Sequence, residues 1–400
     1  MKALLLENIH ADAEQTLRRH GVEVETHKGA LDESDLIAAL EGVDLLGIRS
    51  KTTVSRAVLE ASPGLMAIGA FCIGTNQIDL AAASESATPC FNAPYSNTRS
   101  VVELALGEII ALARHLTDKN TAMHTGDWDK SAQGSHEVRG RTLGLIGYGN
   151  IGKQLSVLAE SLGMQVNFYD IRDELPMGNA RKCSSMEELF ETSETISVHV
   201  DGRASNTGLI GRAEFEKMRP RTLFLNLSRG HVVDIDALKD ALISGHIAGA
   251  GIDVYPKEPK TSGEPFTSPL QGIPNVILTP HVGGSTAEAQ ENIGQFVASK
   301  LLDYVEQGST SLSVNFPQVQ LQPLQAGARL LHVHKNVPGV LTSVNTVLSE
   351  HGVNVDGQQL VTEGPTGYLV TDCSSGVNRC VVDEILALPA TLRLTTVGNL

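Results

Sequence analysis

Little in this chain suits it to covalent cross-linking, membrane insertion or binding of polyanions. Cysteine is scarce: Cys72, Cys90, Cys183, Cys373 and Cys380 in 400 residues. An odd, scattered set without Cys-x-x-Cys spacing excludes a disulfide framework and a thiolate metal site, so reduced thiols and no metal are expected. Positive charge is also in deficit, with 31 Lys and Arg against 46 Asp and Glu and a formal net charge of -15. That balance argues against nucleic acid or an anionic membrane as a partner, and any anion must be held by a local basic cluster. No apolar run reaches the ~20 residues of a membrane span. Met1 leads directly into a strand-like Lys2 to Leu6, without a basic n-region, an apolar h-region or a cleavage site, so the expected location is cytoplasmic. Internal repeats and low-complexity tracts are missing too. What remains is 41% apolar, at a length that supports two or three domains with sizeable cores.

The stretch around which the chain is organised is Gly147-Tyr148-Gly149-Asn150-Ile151-Gly152. A strand candidate, Thr142 to Ile146, precedes it, and an amphipathic run, Ile151 to Leu162, follows. A second strand, Met164 to Tyr169, then ends at Asp170, 18 residues after Gly152. Glycine lets the backbone approach a pyrophosphate, and the free N–H groups of a helix start attract its charge. Asp170 stands where a dinucleotide fold needs a carboxylate for the ribose hydroxyls. An acid there favours NAD over NADP, whose extra phosphate it would repel. Gly147, Gly149, Asn150, Ile151, Gly152 and Asp170 are therefore the cofactor candidates.

Residues 1 to about 96 alternate strands (Ala3 to Leu6, Val22 to Thr26, Asp44 to Ile48, Leu65 to Ile68) with helical stretches, which implies a parallel sheet covered on both faces. A helix over Thr98 to Leu116, capped by Asn97 or Thr98, leads to a second unit; Val101, Leu104, Ala105, Glu108, Ile109 and Leu112 form its stripe. That unit has six strands: Leu143 to Ile146, Gln165 to Tyr169, Thr195 to His199, Thr222 to Leu227, Ala248 to Val254 and Val276 to Leu278. A helix over Thr286 to Glu306 is long enough to return to the first unit. Residues 317–328, with Pro317 and Pro323, show no periodicity and read as a linker. Beyond them the order is βαββαβ, a ferredoxin-like pattern. The expected fold is α/β, two doubly wound parallel-sheet domains of Rossmann or flavodoxin type plus this small domain. The expected boundaries are 1–96 with 285–316, 97–284, and 329–400.

Three loops at strand ends of the second unit carry Arg229, Glu258 and His281. Ligands bind along that edge of such sheets. Oxidising an alcohol needs a base for the hydroxyl proton, and histidine titrates near neutrality. A carboxylate partner fixes its tautomer and raises its pKa, and arginine's planar fork grips a substrate carboxylate. His199 also ends a strand of this sheet, but Asp201 and Arg203 follow it in a loop better suited to covering a cofactor.

With these residues in place, the chain resembles the D-isomer-specific 2-hydroxyacid dehydrogenases. The matching stretches are the cofactor turn, Leu223 to Gly230, Gly251 to Pro259 and Thr279 to Thr286, joined by Gly47 to Thr52, Gly69 to Asn76 and Asn92 to Ser100. The resemblance implies that Arg229 binds the substrate's carboxylate and 2-oxygen, that His281 is the acid/base with Glu258 as its partner, and that Asp253 and Gly284 lie by the cofactor, NAD. It further implies that Arg49, Ser50, Gly74 and Asn97 line the substrate side. The implied reaction converts 3-phosphoglycerate to 3-phosphohydroxypyruvate, the first committed step of L-serine synthesis. Arg49, Lys51 and Arg99 are candidate holders of a phosphomonoester, with no ground for choosing among them.

The C-terminal domain resembles an ACT module, which implies an amino-acid effector, L-serine, at His334, Asn336 and Asn354. In the linker, Ala326-Gly327 stands where relatives carry Gly-Gly, and Ala328 where a basic residue is usual, a stiffer and less charged hinge. A homotetramer through both domain types is the implied assembly, and the lone Trp128 either anchors a subunit contact or covers the cofactor domain. Two rival functions are another dehydrogenase of D-2-hydroxy acids, such as 2-hydroxyglutarate, and an NAD sensor without turnover. The complete Arg229, Glu258 and His281 set argues against the sensor.

Overall fold

The computed structural model describes residues 1–259 and 263–398; the last two residues of the expected C-terminal domain, 399 and 400, lie outside the described residues. The chain divides into two compact units, Met1–Ser96 with Gln290–Leu400, and Asn97–Ala289. The second boundary falls later than residue 284 because the first turn of the long helix is tied locally. Thr286 Oγ1 accepts the Ala289 N–H at 3.2 Å and shares a 2.8 Å bond with Ser100 Oγ.

The first unit opens with β1 (Lys2–Leu5), α1 (Ala11–Arg19), β2 (Glu23–Thr26), α2 (Glu33–Ala39), β3 (Leu45–Ile48), α3 (Arg56–Ala61), β4 (Ala67–Ala70), α4 (Leu80–Glu85) and β5 (Cys90–Asn92). The strands form one parallel sheet in the order β2-β1-β3-β4-β5. Side chains alternate across it: Ala3, Leu5 and Leu45 face one cluster, Leu4, Leu46 and Ile48 the other. The fifth strand goes beyond the four expected. Three residues are too few to show a period, and β5 is held by its neighbours, with the Cys90 N–H on Asn315 Oδ1 at 2.7 Å.

The second unit holds α5 (Thr98–Ala113), α6 (Leu116–His124), β6 (Thr142–Ile146), α7 (Asn150–Ser161), β7 (Gln165–Tyr169), β8 (Arg181–Lys182), α8 (Met186–Thr192), β9 (Thr195–Val198), α9 (Arg212–Lys217), β10 (Thr222–Asn226), α10 (Ile235–Ile243), β11 (Ile247–Ile252) and β12 (Val276–Leu278). Its seven parallel strands run β12-β11-β10-β9-β6-β7-β8. The build direction reverses between β6 and β9, which opens a crevice beyond their carboxyl ends. The two-residue edge strand β8 was not among the six expected. Helix α5 stops short of Leu116 because His115 turns left-handed, with φ 50°. Its N-cap is Asn97, one of the two expected, although the Asn97 side chain makes no capping bond.

Helix α11 (Ala287–Gln307) starts in the second unit and packs mostly in the first, where Val297 and Leu301 lie against Gly69 of β4. The C-terminal sheet comprises β13 (Ala328–Lys335), α12 (Val340–Glu350), β14 (Val355–Glu363), β15 (Thr366–Cys373), α13 (Arg379–Leu386) and β16 (Thr391–Gly398), antiparallel in the order β14-β15-β13-β16. Its helices cover one face. Against the other, Phe316 and Val319 pack on Leu331, Val333 and Tyr368. The stretch read as a linker is therefore partly core. Arg329, buried, pairs with Asp372 at 2.6 and 2.8 Å and donates to the carbonyls of Gln307 and Gln322. Arg393 donates to the carbonyls of Leu65, Pro63 and Ser86 at 2.7, 3.0 and 3.3 Å. These bonds explain why this sheet belongs to the first unit. Among the described residues no helix is long and apolar enough to cross a membrane.

Candidate active site

The glycine turn lies at the carboxyl end of β6, and each glycine meets a different constraint. Gly147 has φ 92°, and a Cβ there would sit 2.5 Å from the His199 carbonyl. At Gly152 a Cβ would meet the Gly147 carbonyl at 2.4 Å, so helix and strand pack backbone to backbone. Gly149 has open space, and no side chain caps the start of α7. A tight turn, an open approach and close helix packing are what a pyrophosphate requires of these positions, with the N–H groups of Asn150, Ile151 and Gly152 in the first helical turn. Asp170 follows β7 and folds back, accepting the Tyr148 N–H at 2.7 Å and the Arg172 N–H at 2.8 Å.

Further along the same edge, His281 Nδ1 lies 2.8 Å from Glu258 Oε2, and Glu258 Oε1 accepts the Tyr255 N–H at 3.0 Å. The hydrogen bond to Glu258 lifts the His281 pKa above its ordinary value against desolvation. Desolvation in turn works to raise Glu258, but the bonds from His281 and Tyr255 hold it below the usual carboxylate range. Arg229 lies near enough to act on both charges. Its loop is closed by Asn226, whose Nδ2 donates to the Arg229 carbonyl at 3.1 Å, and Gly230 lets that loop press on the Tyr255 backbone. Arg229, Glu258 and His281 are thus brought together. His199 is not: Nε2 is held by Ser197 Oγ at 2.8 Å and desolvation pushes its pKa down to about 4.

Asp253, 1% exposed, accepts Thr279 Oγ1–H at 2.6 Å and the N–H groups of Val282 and Gly283 at 2.8 Å each. It clamps the loop on which His281 sits with φ 55°. Gly284 lies against the amide of Asn97. Two carboxyls went unnoticed as site residues. Glu108, read as part of the α5 stripe, is buried against Gly251 with neither oxygen bonded. Desolvation first and the Asp253 charge second push its pKa up to about 8. An acid inside an apolar stripe was the available signal. Glu7 is the other: it accepts the N–H groups of Arg49, Lys51 and Thr52 at 3.1, 2.9 and 2.8 Å and shapes the loop after β3. Gln77 Nε2 ties that loop to its neighbour, donating to the carbonyls of Arg49 and Gly74 at 2.6 and 3.2 Å. Arg49, Ser50, Lys51 and Gly74 therefore share one edge of the first unit. Arg99, in the second unit, begins α5 and pairs with Glu103 at 2.6 Å.

In the C-terminal sheet, His334 Nδ1 contacts the Lys335 carbonyl at 2.9 Å and Asn336 Nδ2 donates to the Gly364 carbonyl at 3.0 Å, both near the start of β15. Asn354 Nδ2 donates to Ser374 Oγ at 2.7 Å, past the end of β15. Eight residues of strand, roughly 25 Å, separate these positions. Within one chain the three nominated residues do not form one pocket.

A doubly wound dinucleotide domain with Arg, Glu and His at its ligand edge defines a class, and the comparisons agree. Residues 106–283 match the family model described as D-isomer specific 2-hydroxyacid dehydrogenase, NAD binding domain, and residues 330–393 match the AHAS small subunit-like ACT domain. The chain belongs to the D-isomer-specific 2-hydroxyacid dehydrogenase family, as an NAD-dependent oxidoreductase with a C-terminal ACT domain. Its curated relatives include the D-3-phosphoglycerate dehydrogenase of Escherichia coli strain K12, 50% identical over 396 residues that cover 98% of this chain and 96% of that protein. That of Haemophilus influenzae is 47% identical over 394 residues, 98% of this chain and 96% of that protein. Among solved structures, a D-lactate dehydrogenase from Sporolactobacillus sp. is similar with a TM-score of 0.68 at 30% identity, covering 79% of this chain and 99% of its own.

Proposed function

We propose that this chain oxidises 3-phospho-D-glycerate at C2 to 3-phosphohydroxypyruvate, the first step of L-serine synthesis, and that L-serine restrains it through residues 329–400. The observation that carries this reading is the Arg229, Glu258 and His281 group at the ligand edge of a chain aligned almost end to end with relatives named D-3-phosphoglycerate dehydrogenase. NAD, when bound, supplies the hydride acceptor. With Nδ1 engaged by Glu258, Nε2 of His281 is left to take the C2 hydroxyl proton, and the imidazolium so formed is stabilised by the carboxylate. Arg229 grips the substrate carboxylate and 2-oxygen. Gly147, Gly149, Asn150, Ile151, Gly152 and Asp170 hold the cofactor; Asp253, Gly284 and Asn97 shape the loop beside it. The phosphate is assigned to Arg49 and Lys51, whose side chains have no ion-pair partner among the described residues, with Ser50 and Gly74 on the same edge.

Because His334 and Asn336 lie at one end of β15 and Asn354 at the other, a single serine touching both ends requires a second copy. A twofold pairing of C-terminal sheets supplies that geometry, since residue i of one copy then meets residue j of the other. The exposed edge strand β14 supports such pairing. Trp128, 72% exposed, together with exposed Leu116 and Met123, supports a further contact towards a homotetramer. Residues 1–96 with 290–316 serve the substrate, 97–289 the cofactor and 329–400 regulation, with 317–328 between. Among the described residues the cysteines form no disulfide, in keeping with the reducing, cytoplasmic setting proposed here.

The test is the initial rate of NADH oxidation by the purified full chain with 3-phosphohydroxypyruvate, with and without millimolar L-serine. Fast turnover suppressed by serine is expected. No turnover with intact NADH binding would reject the substrate, and fast turnover indifferent to serine would reject the effector.

A further inference from the structure

At the amino-terminal edge of the seven-stranded sheet, away from the cofactor turn, lies a cavity of about 220 Å³. Arg141 precedes β6 and Gly147 follows it, so the two lie on the order of 20 Å apart along the strand. The volume is that of roughly seven waters at ~30 Å³ each, room for a small ion or metabolite. Its lining is basic in an acidic chain: Arg141, Arg219, Arg221, His115 and His136 against a single acid, Glu194. Glu194 is already engaged. It sits 3.3 Å from one Arg141 nitrogen and accepts the Thr142 N–H at 3.1 Å. The buried Nε of Arg141 has no partner among the described residues, and Arg219 and Arg221, both exposed, line the cavity outside any ion pair of the described residues. Around the position a Gly134 Cβ would take, His115 Nε2 and Arg221 Nη2 come within 3.0 and 3.7 Å, so these two groups converge.

The backbone adds an independent observation. Arg219-Pro220-Arg221-Thr222 is a turn closed by the Thr222 N–H on the Arg219 carbonyl at 3.2 Å, with Pro220 second and Arg221 third at φ 68°. That is the pattern of a type II turn, whose third position calls for glycine or asparagine. An arginine held there bears strain of the kind that collects at ligand clamps. Asn275, 2% exposed, also lines the cavity. Its Nδ2 donates to two carbonyls, which fixes the amide orientation, and its buried Oδ1 has no donor.

We infer that this cavity is a second anion site, separate from the catalytic edge, for a small phosphate that carries a hydroxyl or a proton: inorganic hydrogen phosphate or a compact phosphomonoester. Arg219 and Arg221 hold its oxygens from the turn, Arg141 Nε donates from the floor, and the ligand's O–H donates to Asn275 Oδ1.

Equilibrium dialysis of the full chain with radiolabelled inorganic phosphate, with and without glycerol 3-phosphate as competitor, tests this. Wild type is expected to bind phosphate saturably. Arg221→Gly is expected to weaken binding at one site by about 10-fold or more, the effect of losing a charged hydrogen bond, while Arg49→Ala leaves that site unchanged. Because glycine suits the left-handed position, Arg221→Gly should keep its melting temperature and its turnover. Displacement by glycerol 3-phosphate would identify a phosphomonoester and its failure free phosphate, both within the inference. Phosphate binding unaltered in Arg221→Gly and in the Arg219→Ala, Arg221→Gly double variant would overturn it. So would a loss accompanied by a change of native mass in sedimentation, which would make the cavity a contact between copies.

Discussion

At Glu258 two effects of opposite sign act on one carboxylate, and the hydrogen bonds win. The carboxylate stays ionised, and the His281 pKa rises with it. The oxidation direction needs neutral His281, so its rate should climb with pH through that raised value, while reduction should fall over the same range. Glu258→Gln removes the anion and should shift both limbs towards lower pH as well as lowering kcat; limbs that stay in place would dissociate Glu258 from the histidine. His281→Ala should cost ~10²-fold or more in kcat, read in steady-state kinetics. Glu108 behaves in the opposite way. Its folded pKa of about 8 exceeds the unfolded one, so its contribution is fully present below about pH 4.5 and is lost as pH rises through 8. Glu108→Gln should flatten stability between pH 5 and 8, leaving the variant relatively more stable at pH 8 by roughly 2–4 kcal/mol. Denaturant titrations across that range check this; an unchanged slope would mean that Glu108 ionises freely.

Among the elements, the turn from β6 into α7 separates two uses of glycine. A methyl group at Gly152 meets backbone 2.4 Å away, whereas at Gly149 it meets nothing. Gly152→Ala should therefore destabilise the fold by roughly 1–3 kcal/mol, and Gly149→Ala should leave the melting temperature alone and weaken NADH binding. Calorimetry and NADH fluorescence titration distinguish these outcomes; equal loss of stability in both variants would reject the division of roles. This turn was legible in the sequence because strand, glycines, helix and acid recur at spacings that a backbone cannot disguise. The edge strands β5 and β8 were not, since two or three residues carry no period. The end of α5 was hidden for another reason: nothing in the local pattern marks His115 as left-handed.

Over the whole molecule, the C-terminal sheet is joined to the first sheet's unit by arginines whose partners are mostly backbone carbonyls. Arg393 alone reaches three of them. Arg393→Ala removes no side chain of the βαββαβ core but should split unfolding of the first unit into two transitions and blunt the proposed serine inhibition more than kcat. A single transition with full serine sensitivity would deny it a coupling role. Long-range ties of this type are invisible in sequence, because a carbonyl acceptor belongs to every residue. The sequence alone determined the α/β alternation, the glycine turn, the placing of Arg229, Glu258 and His281 at strand ends of one sheet, and the ACT pattern, since each depends on residue type at short or regular spacing. Only the tertiary structure decided that Glu7 cradles the Arg49 loop and that burial beside Asp253 raises the Glu108 pKa. It also decided that the nominated effector residues lie at opposite ends of β15, and that three arginines share one cavity. These depend on which distant segments exclude water from one another, and burial, not identity, sets what a charged group does.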